Sequence, residues 1–190
     1  GKFSSVMVAC SCTSFTVARD RTCVIRTARE PWGVTDKTKF STKDHEALRS
    51  GNKIMRAVIR ILNALVQMQV PFILENPRSS RLWHIPAIKR LLCNEYSYFF
   101  TTDFCCYGTM WRKRTGFLTY RCRPAVAESL LARTCTGCGG FCSRTGKPHH
   151  LLTGSAPDGR PWTLVAQPYP RRLAKVLAQI LDDAVKTSQE

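Results

Sequence analysis

Three cysteines and a histidine in the C-terminal third of the chain have a spacing that suits a metal ion. Cys135 and Cys138 are separated by two residues, and Cys142 and His149 follow within a short segment. Structural zinc is usually held by four cysteine or histidine side chains, often supplied as two close pairs. These residues therefore predict a structural zinc site. Cys105, with the cysteine that follows it, offers an alternative fourth ligand in place of Cys138.

The segment around these ligands indicates a small irregular subdomain. Residues 122–160 are rich in Cys, Gly and Arg and contain few apolar side chains from which to build a core. A bound metal would supply the missing stabilisation, because ligation energy becomes folding energy in such segments. We expect an α/β core over residues 1–121, this Cys/His-rich subdomain, and a closing helical segment over residues 161–190 that packs back on the core.

A second group of candidate functional residues follows two short apolar runs. Residues 5–10 and 71–75 each have the length and composition of a buried strand, and a helix-length amphipathic run separates them. A strand, a helix and a strand with a right-handed crossover form a parallel α/β unit. Such sheets place functional residues at the C-terminal ends of their strands. We therefore expect Cys12 to lie close to Glu75 and Asn76.

The rest of the chain completes an α/β pattern, in which residues 20–51 are mostly polar and indicate a loop. The periodicity predicts a helix over 52–67, a short helix over 85–92, strands near 96–100 and 116–120, and an amphipathic closing helix over 171–185. The predicted fold class is α/β, with a partial Rossmann-like parallel sheet and the Cys-rich subdomain beside it.

The charge of the chain indicates a polyanionic partner. Lysine and arginine number 29 against 13 acidic residues, which gives a net charge of +16. Nucleic acid is the partner most often met by such a chain, and a solvated basic surface without a partner is the alternative. No apolar run reaches the roughly 18 residues that a membrane helix needs. Ten cysteines in a chain long enough to fold without disulfides indicate a reducing, intracellular compartment, nuclear in a eukaryote.

Four short segments resemble the motifs of one enzyme family in their order along the chain. These are Cys12-Thr-Ser-Phe15-Thr16, Glu75-Asn76-Pro77, Tyr107-Gly108-Thr-Met-Trp-Arg112-Lys113-Arg114, and Val165-Ala-Gln-Pro-Tyr-Pro170. They resemble the nucleophile loop, the Glu-Asn-Val motif, the basic turn and the start of the last helix of the cytosine-5 DNA methyltransferases. With Glu-Asn-Pro and the Cys/His tail, they look more like methyltransferase-like domains carried in mobile-element polyproteins than like bacterial restriction partners.

The resemblance implies a chemistry and a role for each matching residue. Cys12 would add to carbon 6 of a flipped-out cytosine while Glu75 hydrogen-bonds N3, and the enamine would take a methyl group from S-adenosylmethionine. Asn76 would support the catalytic loop through its amide. Arg112 or Arg114 would support that loop and contact the backbone of the substrate.

The chain also departs from the family at several positions. Ser11 stands where the family has Pro, Pro77 replaces Val, and Met110-Trp111 replace Pro-Gln. Nothing in the sequence resembles the Phe-x-Gly-x-Gly loop that holds S-adenosylmethionine. In the family this loop precedes the nucleophile, so we expect an upstream segment to supply it, and expect no methylation by the chain alone.

Two functions from different classes follow. The first is the catalytic and DNA-facing portion of a cytosine-5 methyltransferase-like domain, which uses S-adenosylmethionine only with an upstream segment and also holds zinc. The second is a non-catalytic, zinc-stabilised basic nucleic-acid-binding module of a mobile-element polyprotein. The second predicts salt-dependent binding with little sequence preference, unaffected by Cys12→Ala or Glu75→Gln.

Overall fold

A four-stranded mixed sheet lies at the centre of the structure, a computed structural model that describes residues 3–187. Its strands are β1 (Val6–Ala9), β2 (Phe72–Pro77), β3 (Ser97–Asp103) and β4 (Arg114–Tyr120). Their order is β1-β2-β4-β3, in which β1 and β2 are parallel and β4 is antiparallel to both of its neighbours.

The expectation of a parallel sheet is therefore correct for one half of the sheet and wrong for the other. The chain passes from β3 to β4 through residues 104–113. A parallel crossover needs a dozen or more residues, usually with a helix, so this short connection returns β4 antiparallel to β3. The fold is α/β with a mixed sheet.

Five α-helices accompany the sheet in the described part of the chain. They are α1 (Thr42–Gln67), α2 (Pro86–Leu92), α3 (Pro124–Leu131), α4 (Trp162–Val165) and α5 (Arg171–Thr187). Residues 188–190, the end of the predicted closing segment, and residues 1 and 2 at the start of the predicted core lie outside the described residues. No helix among the described residues is long and apolar enough to cross a membrane.

The helix α1 begins ten residues earlier than the sequence pattern predicts. A capping box starts it: the Ser41 hydroxyl accepts a hydrogen bond from the Asp44 amide at 3.2 Å, and Asp44 Oδ2 accepts from the Ser41 amide at 2.9 Å. Gly51, which suggested a loop, lies inside the helix. A Cβ at that position would lie 2.0 Å from the Ser14 hydroxyl, so the glycine permits a close approach of the two segments.

Two apolar cores cover the two faces of the sheet. The first lies under α1 and α2, and the second under α3 and α5. Successive residues of β2 alternate between them, since Leu74 belongs to the first core and Ile73 to the second. The helix α3 lies within the segment that was expected to form the Cys/His-rich subdomain, but Ala127 and Leu131 pack in the second core.

Candidate active site and metal centre

The C-terminal ends of β1 and β2 form a pocket of 500 Å³. Parallel pairing sets Ala9 opposite Glu75, so both strands leave the sheet at the same edge. The pocket is lined by Cys12 and Glu75, together with Lys113 and Tyr169. The structure therefore brings together the two residues that the strand pattern placed at neighbouring ends.

The carboxyl group of Glu75 is buried in this pocket, with only 7% of the residue exposed. Its Oε2 accepts a hydrogen bond from the Tyr169 hydroxyl at 3.1 Å, whereas Oε1 is buried and has no hydrogen-bond partner within residues 3–187. Burial raises the pKa of Glu75 above its ordinary value, and the charge of Lys113 opposes that rise. A raised pKa favours the protonated form, in which a carboxyl group can donate a hydrogen bond to a ring nitrogen.

The thiol of Cys12 is half-buried on the other side of the pocket. Burial raises the pKa of this thiol, Lys113 lowers it, and Glu75 raises it further, so that the net shift is upward. A shift upward from its ordinary value favours the thiol form of Cys12 at neutral pH. Its own carbonyl accepts hydrogen bonds from the amides of Phe15 and Thr16 at 2.8 and 2.9 Å, which closes the turn that holds it.

Asn76 fixes the loop of Cys12 to β2 without lining the pocket itself. Its side-chain amide donates to the carbonyl of Cys10 at 3.1 Å, across the two strand ends. Asn76 is fully buried, and its Oδ1 has no hydrogen-bond partner among the described residues. The residue therefore holds the two segments of the pocket at a fixed separation.

The basic turn contributes Lys113 to the pocket, whereas Arg112 and Arg114 bind the buried carboxylate of Asp103. Arg112 Nε donates to Asp103 at 3.2 Å, and Arg114 donates at 3.0 and 2.9 Å. Consecutive residues of an extended chain point to opposite sides, so the two arginines turn away when Lys113 turns in. Arg112 and Arg114, predicted as site residues, therefore act on Asp103 in this structure.

Lys113 and Tyr169 line the pocket but were not among the site residues predicted from the sequence. Tyr169 lies just before α5, and the Lys113 ammonium lies 4.7 Å from the centroid of the Phe104 ring. The alternation of Arg112, Lys113 and Arg114 along an extended segment was the signal that could have identified the lysine. Tyr169 carries no comparable signal, because the return of the chain to the pocket is a tertiary contact.

A candidate metal centre lies beside Asp103, whose carboxylate accepts a hydrogen bond from the Cys135 amide at 2.8 Å. The side chains of Cys105, Cys135, Cys142 and His149 place their ligand atoms within 4.8 Å of one another. A tetrahedral zinc ion with sulfur ligands at about 2.3 Å holds the sulfur atoms roughly 3.8 Å apart, so small shifts close the site. This set of three cysteines and one histidine suits a metal ion such as zinc.

The loop around the metal centre orients the ligands before any ion binds. The Nδ1 atom of His149 lies 2.9 Å from the carbonyl of Gly140, which leaves Nε2, 3.6 Å from the Cys135 sulfur, to face the site. Burial raises the pKa of Cys135, but hydrogen bonds from the hydroxyl and amide of Ser143, the Gly137 amide and the Cys105 thiol together lower it to about 6. The loop thus favours the thiolate form that metal binding needs.

Cys138, the ligand preferred by the sequence spacing, is exposed and lies outside this group. Cys105, from the short turn after β3, takes the fourth position instead. The loop turns back on itself at Gly137, where a Cβ would lie 1.9 Å from the carbonyl oxygen of Phe141. This turn carries Cys142 to Cys135 and directs Cys138 outward.

Comparison with known proteins gives no family, curated protein or solved structure that matches the chain.

Proposed function

We propose that this chain binds nucleic acid and presents the pocket between Cys12 and Glu75 to a single cytosine base, as the catalytic portion of a cytosine-5 methyltransferase-like domain. One observation carries the proposal: a thiol and a buried carboxyl group line one pocket at neighbouring strand ends. These groups match the two positions of cytosine that must be engaged together, carbon 6 and N3.

The unpartnered Oε1 of Glu75 supports this assignment. A buried polar atom without a partner is costly, and its retention indicates a ligand that completes its hydrogen bonding. Protonated Glu75 would donate to the N3 atom of cytosine while Tyr169 keeps the other carboxyl oxygen in place. Cys12, which lines the same pocket, would add to carbon 6 from one face of the ring.

Methyl transfer needs a donor, and the described residues do not fit S-adenosylmethionine. The glycine cluster at residues 137–140 belongs to the turn of the loop that carries Cys135 and Cys142. At Gly137 the carbonyl oxygen of Phe141 takes the space that a Cβ would need. This cluster follows α3, and no glycine-rich loop directly follows a strand in residues 3–187. The chemistry proposed for this chain is therefore capture of the base and covalent addition to it, without methyl transfer.

The experiment uses a hairpin oligonucleotide that contains one 5-azacytosine. The ring nitrogen at position 5 makes carbon 6 more electrophilic, so the Cys12 thiol can add without a methyl donor. The sulfur–carbon 6 bond forms, the C6–N5 double bond becomes single, and the thiol proton is transferred to N5. We expect a denaturation-resistant adduct that peptide mapping locates at Cys12.

Three variants test the assignment. Cys12→Ser should abolish the adduct, and Glu75→Gln should slow its formation by about 100-fold, because it removes the acid that acts at N3. Cys93→Ser, which removes an exposed thiol, should react as the wild type does. No adduct in the wild type, or equal adduct in Cys12→Ser, would refute the proposal.

A second candidate is a metal-stabilised nucleic-acid-binding module without catalysis. The net charge of +16 favours it, together with a Cys/His cluster suited to zinc. This function predicts that Cys12→Ser and Glu75→Gln bind cytosine-containing oligonucleotides as tightly as the wild type. The two functions are separated by whether the pocket residues change affinity or reactivity.

A further inference from the structure

One face of α1 carries a row of four exposed cations: Arg49, Lys53, Arg56 and Arg60. Their spacings of four, three and four residues place them on a single side of the helix. At 1.5 Å per residue the row extends about 16 Å along the helix axis. The cations therefore form a continuous positive edge.

These cations have no acidic partner in the part of the chain that the structure describes. The sequence contains no aspartate or glutamate from residue 47 to residue 74. The ion pairs found within residues 3–187 include none of the four side chains. Like charges three and four residues apart destabilise a helix, so an unpaired row of this kind indicates an external anion.

The row borders a groove of 720 Å³ with an apolar floor. Trp32 and Ile59 are partly buried and line the groove between the helix and the preceding loop. The guanidinium carbon of Arg56 lies 5.8 Å from the centroid of the Trp32 ring. An aromatic ring beside a row of cations is the combination that binds single-stranded nucleic acid.

We propose that this groove binds single-stranded nucleic acid, with phosphates on the four cations and a base stacked on Trp32. The inference rests on the part of the proposed function that makes nucleic acid the partner, and it deepens that function by naming a second contact surface. The groove and the Cys12–Glu75 pocket share no lining residue. Affinity and base chemistry are therefore assigned to separate surfaces.

The shape of the groove favours nucleic acid over a membrane surface. Helices that lie on a bilayer present a convex apolar face with cations at its borders. Here the apolar side chains of Trp32 and Ile59 are recessed below the cations, in a concavity that a lipid surface does not enter.

The experiment measures binding of a fluorescent 20-residue oligothymidine to the zinc-loaded chain by anisotropy across a series of salt concentrations. Oligothymidine contains no cytosine, so the result is independent of the chemistry at Cys12. The test variant replaces Arg49, Lys53, Arg56 and Arg60 with Gln. Its matched control replaces four exposed cations of α5 with Gln: Arg171, Arg172, Lys175 and Lys186.

We expect the groove variant to bind at least about tenfold more weakly at 0.1 M salt, with a salt slope reduced by about 3, because each phosphate contact contributes roughly 0.7. The α5 variant has the same net charge and should retain most of the affinity and slope. Trp32→Leu keeps an apolar side chain and should lose about tenfold in affinity through loss of stacking.

Equal weakening by the groove and α5 variants would overturn the proposal, as would a wild-type chain that does not bind oligothymidine. Binding to phosphatidylserine vesicles in preference to oligothymidine would assign the groove to membranes and overturn it too. Failure of the 5-azacytosine adduct leaves the oligothymidine result unchanged, so the two proposals fail separately.

Discussion

The buried carboxylate of Asp103 accepts a hydrogen bond from the main-chain amide of Cys135, with 2.8 Å between Oδ2 and the nitrogen. Arg112 joins the same pair, since it donates to Asp103 and also to the carbonyl of Cys135 at 2.7 Å. The end of β3, the metal loop and the basic turn are thereby tied to one fully buried side chain. The neighbouring Lys113 depends on this turn for its position in the pocket.

The first prediction concerns Asp103→Asn. The substitution removes the charge that two arginines and an amide share, and hydrogen bonds to charged groups are worth about 1.5–3 kcal/mol each. We expect the free energy of unfolding to fall by about 2–3 kcal/mol at pH 7, measured by urea denaturation. Asp158→Asn, which breaks an exposed pair with Arg160, is the control and should have little effect.

This destabilisation should depend on pH in a defined way. Burial alone would raise the pKa of Asp103, but the hydrogen bonds from Arg114 and the Cys135 amide lower it below its ordinary value. A carboxyl group with a lowered pKa in the folded state stabilises the fold at neutral pH and loses this effect in acid. The difference in the free energy of unfolding between wild type and Asp103→Asn should therefore stay constant from pH 5 to 8 and shrink below about pH 4. A difference that grows in acid would contradict the assignment.

The second prediction separates the metal ligands from the cysteine beside them. We expect one zinc ion per chain in the wild type and in Cys138→Ser, measured by metal analysis after dialysis. Replacing partners of metal ligands already costs 10–100-fold in affinity, so loss of a direct ligand in Cys105→Ser should cost more than about 100-fold. If Cys105→Ser bound zinc fully and Cys138→Ser did not, the ligands would be those that the sequence spacing predicts, with Cys138 in place of Cys105.

The third prediction concerns the stability cost of the buried Glu75 carboxyl group. Burial raises the pKa of Glu75 in the folded state. At a pH between the pKa of the unfolded chain and that of the folded chain, folding therefore takes up a proton. The free energy of unfolding falls as the pH rises through that interval. Glu75→Gln has no charge to bury. We expect this variant to resist urea better than wild type at pH 8, with the advantage shrinking toward pH 4.5. Glu95→Gln, at an exposed site, should show no such trend.

The fourth prediction assigns an electrostatic role to Lys113. Its charge lowers the pKa of both Cys12 and Glu75. Removing that charge in Lys113→Met should shift the pH profile of Cys12 alkylation by iodoacetamide to higher pH. Peptide mass mapping measures the extent of alkylation at each pH. Lys113→Arg keeps the charge and should retain the wild-type profile. A profile unchanged in Lys113→Met would show that the lysine does not act on this thiol.

Local sequence pattern predicted the strand ends well, because short apolar runs followed by polar residues specify where a buried strand stops. Cys12 and Glu75 were placed in this way. The metal ligands show the limit of spacing: Cys138 has the better sequence distance from Cys135, but the turn at Gly137 directs it away. The fourth ligand, Cys105, is remote in sequence. It lies near Cys135 because the segment after α3 hydrogen-bonds to Asp103 at the end of β3, a tertiary contact that periodicity did not reveal.

The sequence distance between Cys105 and His149 has a consequence for the order of folding. These two ligands are 44 residues apart and enclose β4, a central strand of the sheet, together with α3. Closing a loop of that length removes chain entropy worth about 4 kcal/mol at 25 °C, by the relation used for cross-linked loops. An ion bound by both ligands would therefore cross-link the two ends of the segment that contains β4. Pairing of β4 and binding of the ion would then become one cooperative event.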